Sequence, residues 1–196
     1  MKLGREKLSK SNKHLFIVIE GVDGSGKTTV GEKLAEEINA VFYQTPSKFW
    51  RKKRNIVENS NVVIRFFYYF IATIFSTVEI RKILKTESVI CDRYVYSTWA
   101  YHIVYGFSLL RFVSPFLIFY AFQKPDKAYY LYVSRTEREN RISNRSKNTL
   151  KDRDSDTLKK TQEEFIKFSD LVIIDTSNIN VEKVVNLITK DLGSGK

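Results

Sequence analysis

The chain of 196 residues lacks the cysteine and histidine content that would hold it together covalently or through a metal. Cysteine occurs once, at Cys91, which excludes an internal disulfide, and its apolar surroundings predict a buried strand residue. The two histidines have no metal-ligand spacing with it or with each other. Residues 1–13 are basic and polar instead of carrying the apolar segment of a signal peptide, so we expect a cytoplasmic protein with a basic N-terminal tail.

The sequence also has no uninterrupted apolar run as long as a membrane-spanning helix. Residues 62–78 form a nearly apolar run that contains Arg65, and residues 112–122 form a second, shorter aromatic run. A membrane-spanning helix needs about 20 apolar residues, so we expect no transmembrane segment. Both runs are predicted to be helices that face the core or a second subunit.

Acidic residues are fewer than basic ones, 22 against 33, and the formal charge is +11. A basic surface attracts nucleotides, nucleic acids or anionic membranes, and the sign alone does not choose among them. The five cations within residues 48–54 are expected to form a loop that is either solvated or in contact with a phosphate. No other feature of the sequence indicates a nucleic-acid partner.

What the chain does contain is a glycine-rich turn between an apolar segment, residues 15–19, and a helical pattern. Residues 21–28, GVDGSGKT, fit G-x-x-x-x-G-K-[ST], in which backbone N–H groups and a helix N-terminus surround phosphates. Lys27 would reach the β- and γ-phosphates of ATP, and the Thr28 hydroxyl would hold Mg²⁺. The predicted ATP-binding residues are Gly21, Val22, Asp23, Gly24, Ser25, Gly26, Lys27, Thr28 and Thr29.

Strand and helix patterns alternate along the rest of the chain, which predicts a parallel sheet covered on both faces. We therefore expect one domain over residues 14–192, a three-layer α/β/α P-loop NTPase fold with a five-stranded parallel sheet, and a flexible end at 193–196. Strands are predicted at 15–19, 40–43, 88–91, 128–133 and 171–174, and helices at 27–39, 61–85, 97–105, 109–122, 136–146, 158–168 and 181–192.

Further charged residues follow predicted strands. Asp92 stands where a phosphate-loop protein places a second Mg²⁺-orienting acid, although it could instead cap the next helix. Arg93 suits a bidentate grip on an acceptor phosphate, and Asp23 either faces the same cavity or stabilises the turn. The arginines Arg141, Arg145 and Arg153 predict a catalytic lid over about residues 141–156 that closes on the γ-phosphate, with a solvated helix face as the alternative.

These motifs together resemble the thymidylate kinase family over about residues 14–190. The likeness rests on FIVIEGVDGSGKTT at 16–29, DRYVYSTWAY at 92–101, KPD at 124–126 and the lid arginines. The resemblance implies the reaction ATP + dTMP → ADP + dTDP with Mg²⁺, and a homodimer formed through apolar helices, which would suit residues 62–78. It implies that Thr28, with Asp92, holds the metal, that Arg93 binds the dTMP phosphate, that Asp23 contacts the sugar 3′-hydroxyl or the metal, and that Thr98 and Tyr101 line the sugar and base. Tyr69 is predicted to be a further substrate-binding residue.

The residues expected to recognise the nucleotide base differ from the family pattern. Members carry an arginine on the helix before the DRY strand, and its spacing leads to Ala72 or Thr73 here. Tyr68, Tyr69 and Phe70 remain to stack on a base, and the family's acidic-Pro-Gly segment is replaced by QTPS at 44–47. The hypothesis is a pyrimidine deoxynucleotide kinase with weak base discrimination. The alternatives are a deoxynucleoside kinase, which would want an acid rather than Arg93 at the 5′-hydroxyl, and a nucleotide-binding protein without enzymatic activity.

Overall fold

The structure is a computed structural model that describes residues 13–113, 121–143 and 155–194. Within these residues one sheet contains five strands, which are β1 (Phe16–Glu20), β2 (Val41–Gln44), β3 (Val89–Asp92), β4 (Lys127–Tyr132) and β5 (Leu171–Asp175). All neighbouring strands are parallel, and their order in the sheet is β2-β3-β1-β4-β5. The predicted parallel sheet of five strands is therefore confirmed.

Helices connect the strands, as parallel pairing requires. The α-helices are α1 (Lys27–Ile38), α2 (Lys48–Lys53), α3 (Val62–Ile83), α4 (Val95–Val104), α5 (Arg135–Ser143), α6 (Ser155–Ile166) and α7 (Val181–Ser194). Short 3₁₀-helices cover Arg54–Ile56 and Ser108–Phe112. Helix α1 ends where Asn39 adopts a left-handed conformation with φ 53°, a common helix stop.

Two apolar clusters lie on opposite faces of the sheet and create the three layers. Strand β1 is buried along its whole length, and its side chains alternate between the faces. Phe16 and Val18 join the cluster formed with α3, α4 and α6, whereas Ile17 and Ile19 join the cluster formed with α1 and α7. The continuous apolar run of β1 is typical of a parallel strand covered on both sides.

The basic segment at residues 48–54 differs from the prediction. It forms helix α2 and the start of the 3₁₀-helix Arg54–Ile56, and the prediction of a loop was wrong. Contacts with α3 account for the helix: the Trp50 ring lies 5.5 Å from that of Phe75, and the Tyr68 hydroxyl donates to the Trp50 carbonyl at 2.6 Å. Tertiary packing of this kind stabilises short helices that the sequence alone does not favour.

Other predicted segments end differently or lie outside the description. Of the predicted helix at 109–122, residues 109–112 belong to the 3₁₀-helix Ser108–Phe112, residues 113, 121 and 122 are not helical, and residues 114–120 lie outside the described residues. Helix α7 continues to Ser194, into the segment expected to be a flexible end. Residues 1–12 of the predicted tail and 144–154 of the predicted lid also lie outside the described residues.

Strand register brings the polar residues to one edge of the sheet. Ile19 on β1 and Gln44 on β2 both pair with Asp92 on β3. Glu20 pairs with Tyr130 on β4. Because the strands are parallel, the phosphate loop after β1 and the Asp92-Arg93 turn after β3 meet at the carboxyl edge, where α/β proteins bind ligands.

Helix α3 is long and apolar enough to cross a membrane by length and composition, and a third of its apolar window is buried in the protein. Its buried residues include Phe66, Ala72 and Ile80, and Phe66 and Ile80 belong to the α3–α4–α6 core cluster. This packing is typical of a helix of the α/β domain.

Candidate active site

The phosphate loop wraps closely around the N-terminus of α1. Gly24 and Gly26 have φ values of 86° and 88°, a left-handed conformation that L side chains rarely adopt. A Cβ atom at Gly24 would also lie 2.8 Å from the Arg138 side chain. Gly26 is the N-cap of α1 and provides no side-chain hydrogen bond. The first N–H groups of the helix therefore remain available to a phosphate.

Lys27 is held inside this loop. Its side chain is buried, and Nζ donates a hydrogen bond to the Val22 carbonyl at 3.2 Å. Burial lowers the pKa of Lys27 to about 8, with a further contribution from the charge of Arg93. An anionic phosphate would raise this pKa again and further favour the charged form, because an opposite charge at close range stabilises an ammonium. Among the other predicted ATP-binding residues, Val22 and Ser25 are buried and Thr29 is exposed.

Thr28 and Asp92 come together as predicted for a metal pair. Thr28 Oγ1 donates to Asp92 Oδ2 at 2.6 Å, and Gln44 Nε2 donates to the same oxygen at 3.0 Å. The other carboxylate oxygen, Oδ1, is buried without a hydrogen-bond partner in the described residues. An unsatisfied carboxylate oxygen beside a threonine hydroxyl fits Mg²⁺, which is commonly bound by one or two carboxylates together with substrate phosphates.

Asp23 joins the two cationic centres of the site. Arg93 Nη2 donates to Asp23 Oδ1 at 2.5 Å, and Lys27 Nζ lies 3.7 Å from the same oxygen. The Arg93 backbone has φ 67°, in the left-handed region, and Nη1 donates to Ser97 Oγ at 3.1 Å. One carboxylate oxygen thus separates the lysine expected at the donor phosphates from the arginine expected at the acceptor phosphate.

Glu20 holds the turn that carries Arg93. This carboxyl group is fully buried and accepts hydrogen bonds from the Tyr94 N–H at 2.7 Å, the Ser97 N–H at 3.2 Å and the Ser97 hydroxyl at 2.6 Å. Burial raises the pKa of Glu20 to about 7, although the Ser97 hydroxyl and Arg93 oppose the change. Sequence reasoning did not select Glu20. The signal was available, since a glutamate directly after four apolar strand residues is an unusual core residue.

An aromatic wall of four rings extends from Arg93 toward α3. The Arg93 guanidinium lies 5.4 Å from the Tyr101 ring, which is stacked on Tyr105 at 6.1 Å. His102 follows at 6.2 Å from Tyr105, and Tyr69 at 5.8 Å from His102. The structure therefore connects the predicted substrate residues Tyr101 and Tyr69 along one wall. Thr98 is buried on α4, and its carbonyl oxygen lies 2.6 Å from His102 Nδ1.

Only one of the three predicted stacking residues faces this wall. Phe70 packs in the core against Phe66 and Phe122, and Tyr68 contacts Trp50 on α2. The positions expected to carry a base-reading arginine, Ala72 and Thr73, are buried, and the Thr73 hydroxyl donates to the Tyr69 carbonyl at 2.8 Å. A different cation packs against the second ring of the wall. The Arg65 guanidinium is 4.3 Å from the Tyr105 ring, and its Nε is buried without a hydrogen-bond partner in the described residues.

Of the three predicted lid arginines, Arg141 falls within the described residues. Its Nη1 lies 3.9 Å from the position of a Cβ at Gly26, and Nη2 donates to the Thr176 carbonyl at 2.5 Å. Arg141 is thus beside the phosphate loop, held in part by Glu137, which accepts from Nε at 2.8 Å. Arg145 and Arg153 lie outside the described residues, so the lid stays a prediction.

Arg51 is a further cation at the site that the sequence did not identify individually. It donates through Nη1 to Gln44 Oε1, and Gln44 in turn bonds to Asp92. The spacing of residues 48–54 gives no sign of this contact, because it depends on how α2 packs after β2.

The sequence is similar to known proteins over most of its length. The family model for thymidylate kinase matches residues 19–188. The chain belongs to the thymidylate kinase family. A probable thymidylate kinase from Methanocaldococcus jannaschii is 30% identical over 192 residues, which cover 89% of this chain and 94% of the relative. A second probable thymidylate kinase, from Methanococcus aeolicus, is 29% identical and covers 90% of this chain and 95% of its own length.

Solved thymidylate kinase structures share the fold. The enzyme from Candida albicans aligns with a TM-score of 0.71 at 18% identity, covering 93% of this chain and 92% of its own. The enzyme from Ehrlichia chaffeensis aligns with a TM-score of 0.63 at 22% identity, covering 92% and 99%. These structural similarities confirm the predicted P-loop NTPase architecture.

Proposed function

We propose that this protein transfers the γ-phosphoryl group of ATP to dTMP and releases ADP and dTDP. The observation that carries the proposal is the shared contact of Lys27 and Arg93 with Asp23 Oδ1, at 3.7 Å and 2.5 Å. Phosphoryl transfer needs the donor and acceptor phosphates held side by side, and cations on both sides stabilise the charge that develops between them. Family membership supports dTMP as the acceptor.

Each group then has a defined task. Lys27 and the α1 N-terminus bind the ATP phosphates, and Arg93 binds the acceptor phosphate against the Tyr101 ring. Thr28 and Asp92 would hold Mg²⁺, and the metal would supply positive charge that neutralises the donor phosphates. Arg141, with Arg145 and Arg153, covers the γ-phosphate and excludes water.

An acceptor panel tests the proposal. ADP release would be measured with ATP, Mg²⁺ and, in turn, dTMP, dUMP, dCMP, dAMP, dGMP or thymidine. We expect the highest kcat/KM with dTMP and no turnover of thymidine, because Arg93 needs a phosphate to bind. Preferential phosphorylation of thymidine would indicate the deoxynucleoside kinase instead. ATP binding without ADP release on any acceptor would indicate a nucleotide-binding protein.

We further propose a cytoplasmic homodimer formed through α3. Five apolar residues on α3 recur every three or four positions and share one exposed stripe, and each is between 43% and 57% exposed: Ile64, Phe67, Ile71, Phe75 and Val78. A contiguous apolar face of this kind on a water-exposed helix is typical of a protein interface. A two-fold homodimer would bury this stripe of one subunit against the same stripe of the partner subunit.

A further inference from the structure

A second, strongly basic cavity lies at the edge of the sheet opposite the phosphate loop. This amino-edge pocket is lined by Lys13, Arg81, Lys85, Gln123, Lys124 and Asp126, among others, and its volume is about 800 Å³. Lys13 precedes β1, and Lys124 and Asp126 precede β4. Arg81 lies in the last turn of α3, and Lys85 follows the end of that helix. Strand β1, about 16 Å long, separates the pocket from the phosphate loop, so the two sites are distinct.

The charges of the amino-edge pocket are poorly balanced. Lys13 forms an ion pair with Asp126 at 2.5 Å, and Asp126 is the one acid among the lining residues. Arg81, Lys85 and Lys124 form no ion pair within the described part of the chain. Arg81 Nε donates to Gln123 Oε1 at 3.2 Å, a neutral partner that orients the guanidinium without cancelling its charge. Like charges gathered in a concave surface favour a bound anion.

The lining also limits the kind of anion. A volume of about 800 Å³ is in the range of small-molecule sites. No Phe, Tyr or Trp lines the pocket among the described residues, and its apolar lining comes from Leu84 and Pro125. Bases of single-stranded nucleic acids are usually bound by stacking on several aromatic rings, and the described lining of this pocket offers the single ring of His14. Lysine and arginine groups, in contrast, suit phosphate oxygens.

We propose that the amino-edge pocket binds a di- or triphosphate chain, either inorganic or at the end of a nucleotide. Arg81, Lys85 and Lys124 contact the phosphates, and Lys13 exchanges its pairing with Asp126 for the ligand. This site is separate from the reaction proposed above and does not depend on it.

The test uses the full chain with Lys27→Ala, which weakens binding at the phosphate loop, and calorimetric titration with inorganic tripolyphosphate. The pocket variant adds Arg81→Gln, Lys85→Gln and Lys124→Gln. A control variant adds Lys52→Gln, Lys183→Gln and Lys190→Gln, three exposed lysines elsewhere that carry the same total charge. We expect one site whose affinity falls about tenfold or more in the pocket variant, stays unchanged in the control, and weakens with added salt.

Further titrations identify the form of the ligand, and a charge-retaining variant tests the role of the positive charges. Lys85→Arg with Lys124→Arg retains both charges and is expected to retain binding. Tighter binding of ATP or dTTP than of tripolyphosphate would assign the nucleotide form, and equal binding would assign the phosphate chain alone. The proposal is overturned if tripolyphosphate does not bind, if the pocket and control variants lose affinity equally, or if oligothymidylate binds at least a hundredfold more tightly through the same residues.

Discussion

At the scale of single residues, the site consists of charged groups that the fold keeps partly dehydrated. The buried Lys27 ammonium lies 3.7 Å from Asp23 Oδ1, and the Arg93 guanidinium is hydrogen-bonded to the same oxygen. Electrostatic interactions are stronger in such surroundings than in water, so the removal of one charge should have a large effect on catalysis. Such charges can be tested one at a time because they lie outside the two apolar clusters.

Lys27→Ala should lower kcat for phosphoryl transfer about 10²–10³-fold or more while the protein stays folded. Nζ bonds to a loop carbonyl and not to the core, and loss of a preorganised donor to a developing charge typically lowers kcat about 10²–10³-fold. Steady-state ADP release and circular dichroism would be measured together, with the exposed Lys48→Ala as the control. A variant that unfolds under native conditions would mean that Lys27 has a structural role.

Arg93→Ala should weaken binding of the acceptor dTMP and leave ATP binding nearly unchanged. A desolvated charge-assisted pair is worth about 2–5 kcal/mol, so KM for dTMP is expected to rise about 30-fold or more. Arg93→Lys keeps the charge but loses the second hydrogen bond, so its KM for dTMP should lie between those of the wild type and Arg93→Ala. Arg111→Ala, which removes an arginine paired with Glu164 and not with Asp23, is the control. Equal losses of dTMP and ATP affinity would contradict the assignment.

Base discrimination is expected to be modest. Ala72 and Thr73 provide no cation, and stacking and shape distinguish substrates only about 10–200-fold, whereas a dedicated polar contact gives about 10⁴ or more. The measurement is kcat/KM for dTMP, dUMP and dCMP. A dTMP preference over dCMP above about 10⁴ would contradict the hypothesis and reveal a polar base contact. Arg65→Met would then show whether the guanidinium beside Tyr105 makes that contact.

At the scale of elements, β1 and α4 are joined by Glu20. Its carboxyl group accepts two backbone N–H groups at the start of α4 and the Ser97 hydroxyl, and so replaces a local cap. Tyr94, the N-cap residue, makes no side-chain capping bond. The orientation of α4, and with it the Arg93 turn, therefore depends on a residue of a different element.

The pKa of Glu20 predicts a pH-dependent stability. Its value of about 7 in the folded state exceeds the ordinary 4.5, so the folded state binds the proton more tightly. The resulting stabilisation is fully present below pH 4.5 and is lost as the pH rises to about 7, a difference of about 3 kcal/mol.

Urea unfolding from pH 5 to 8 checks this prediction in wild type and Glu20→Gln. The wild type should lose stability relative to the variant as the pH rises, because glutamine does not titrate. Glu163→Gln, at an exposed position, is the control for the loss of a glutamate. Parallel stability curves for wild type and Glu20→Gln across this range would contradict the prediction.

At the scale of the whole molecule, the exposed stripe of α3 should determine the oligomeric state. Phe67→Glu with Ile71→Glu places two charges in the stripe and is expected to convert a dimer to a folded monomer in sedimentation velocity. Leu187→Glu, at an exposed apolar position on α7, should leave the dimer intact. A wild-type protein that is monomeric at tens of micromolar, or that binds anionic vesicles through the stripe, would contradict the homodimer.

The sequence by itself determined the parts of this protein that depend on local pattern. The phosphate loop, the five strands, the Asp92-Arg93 turn and the family could all be predicted, because backbone conformation and strand burial leave a mark on neighbouring residues. The prediction for residues 48–54 was wrong because α2 is stabilised by contacts with α3. The roles of Glu20, Gln44 and Arg51 were decided only by the tertiary structure. Each acts on a group from another element, and which side chains meet across a sheet edge depends on register and packing that no local spacing encodes.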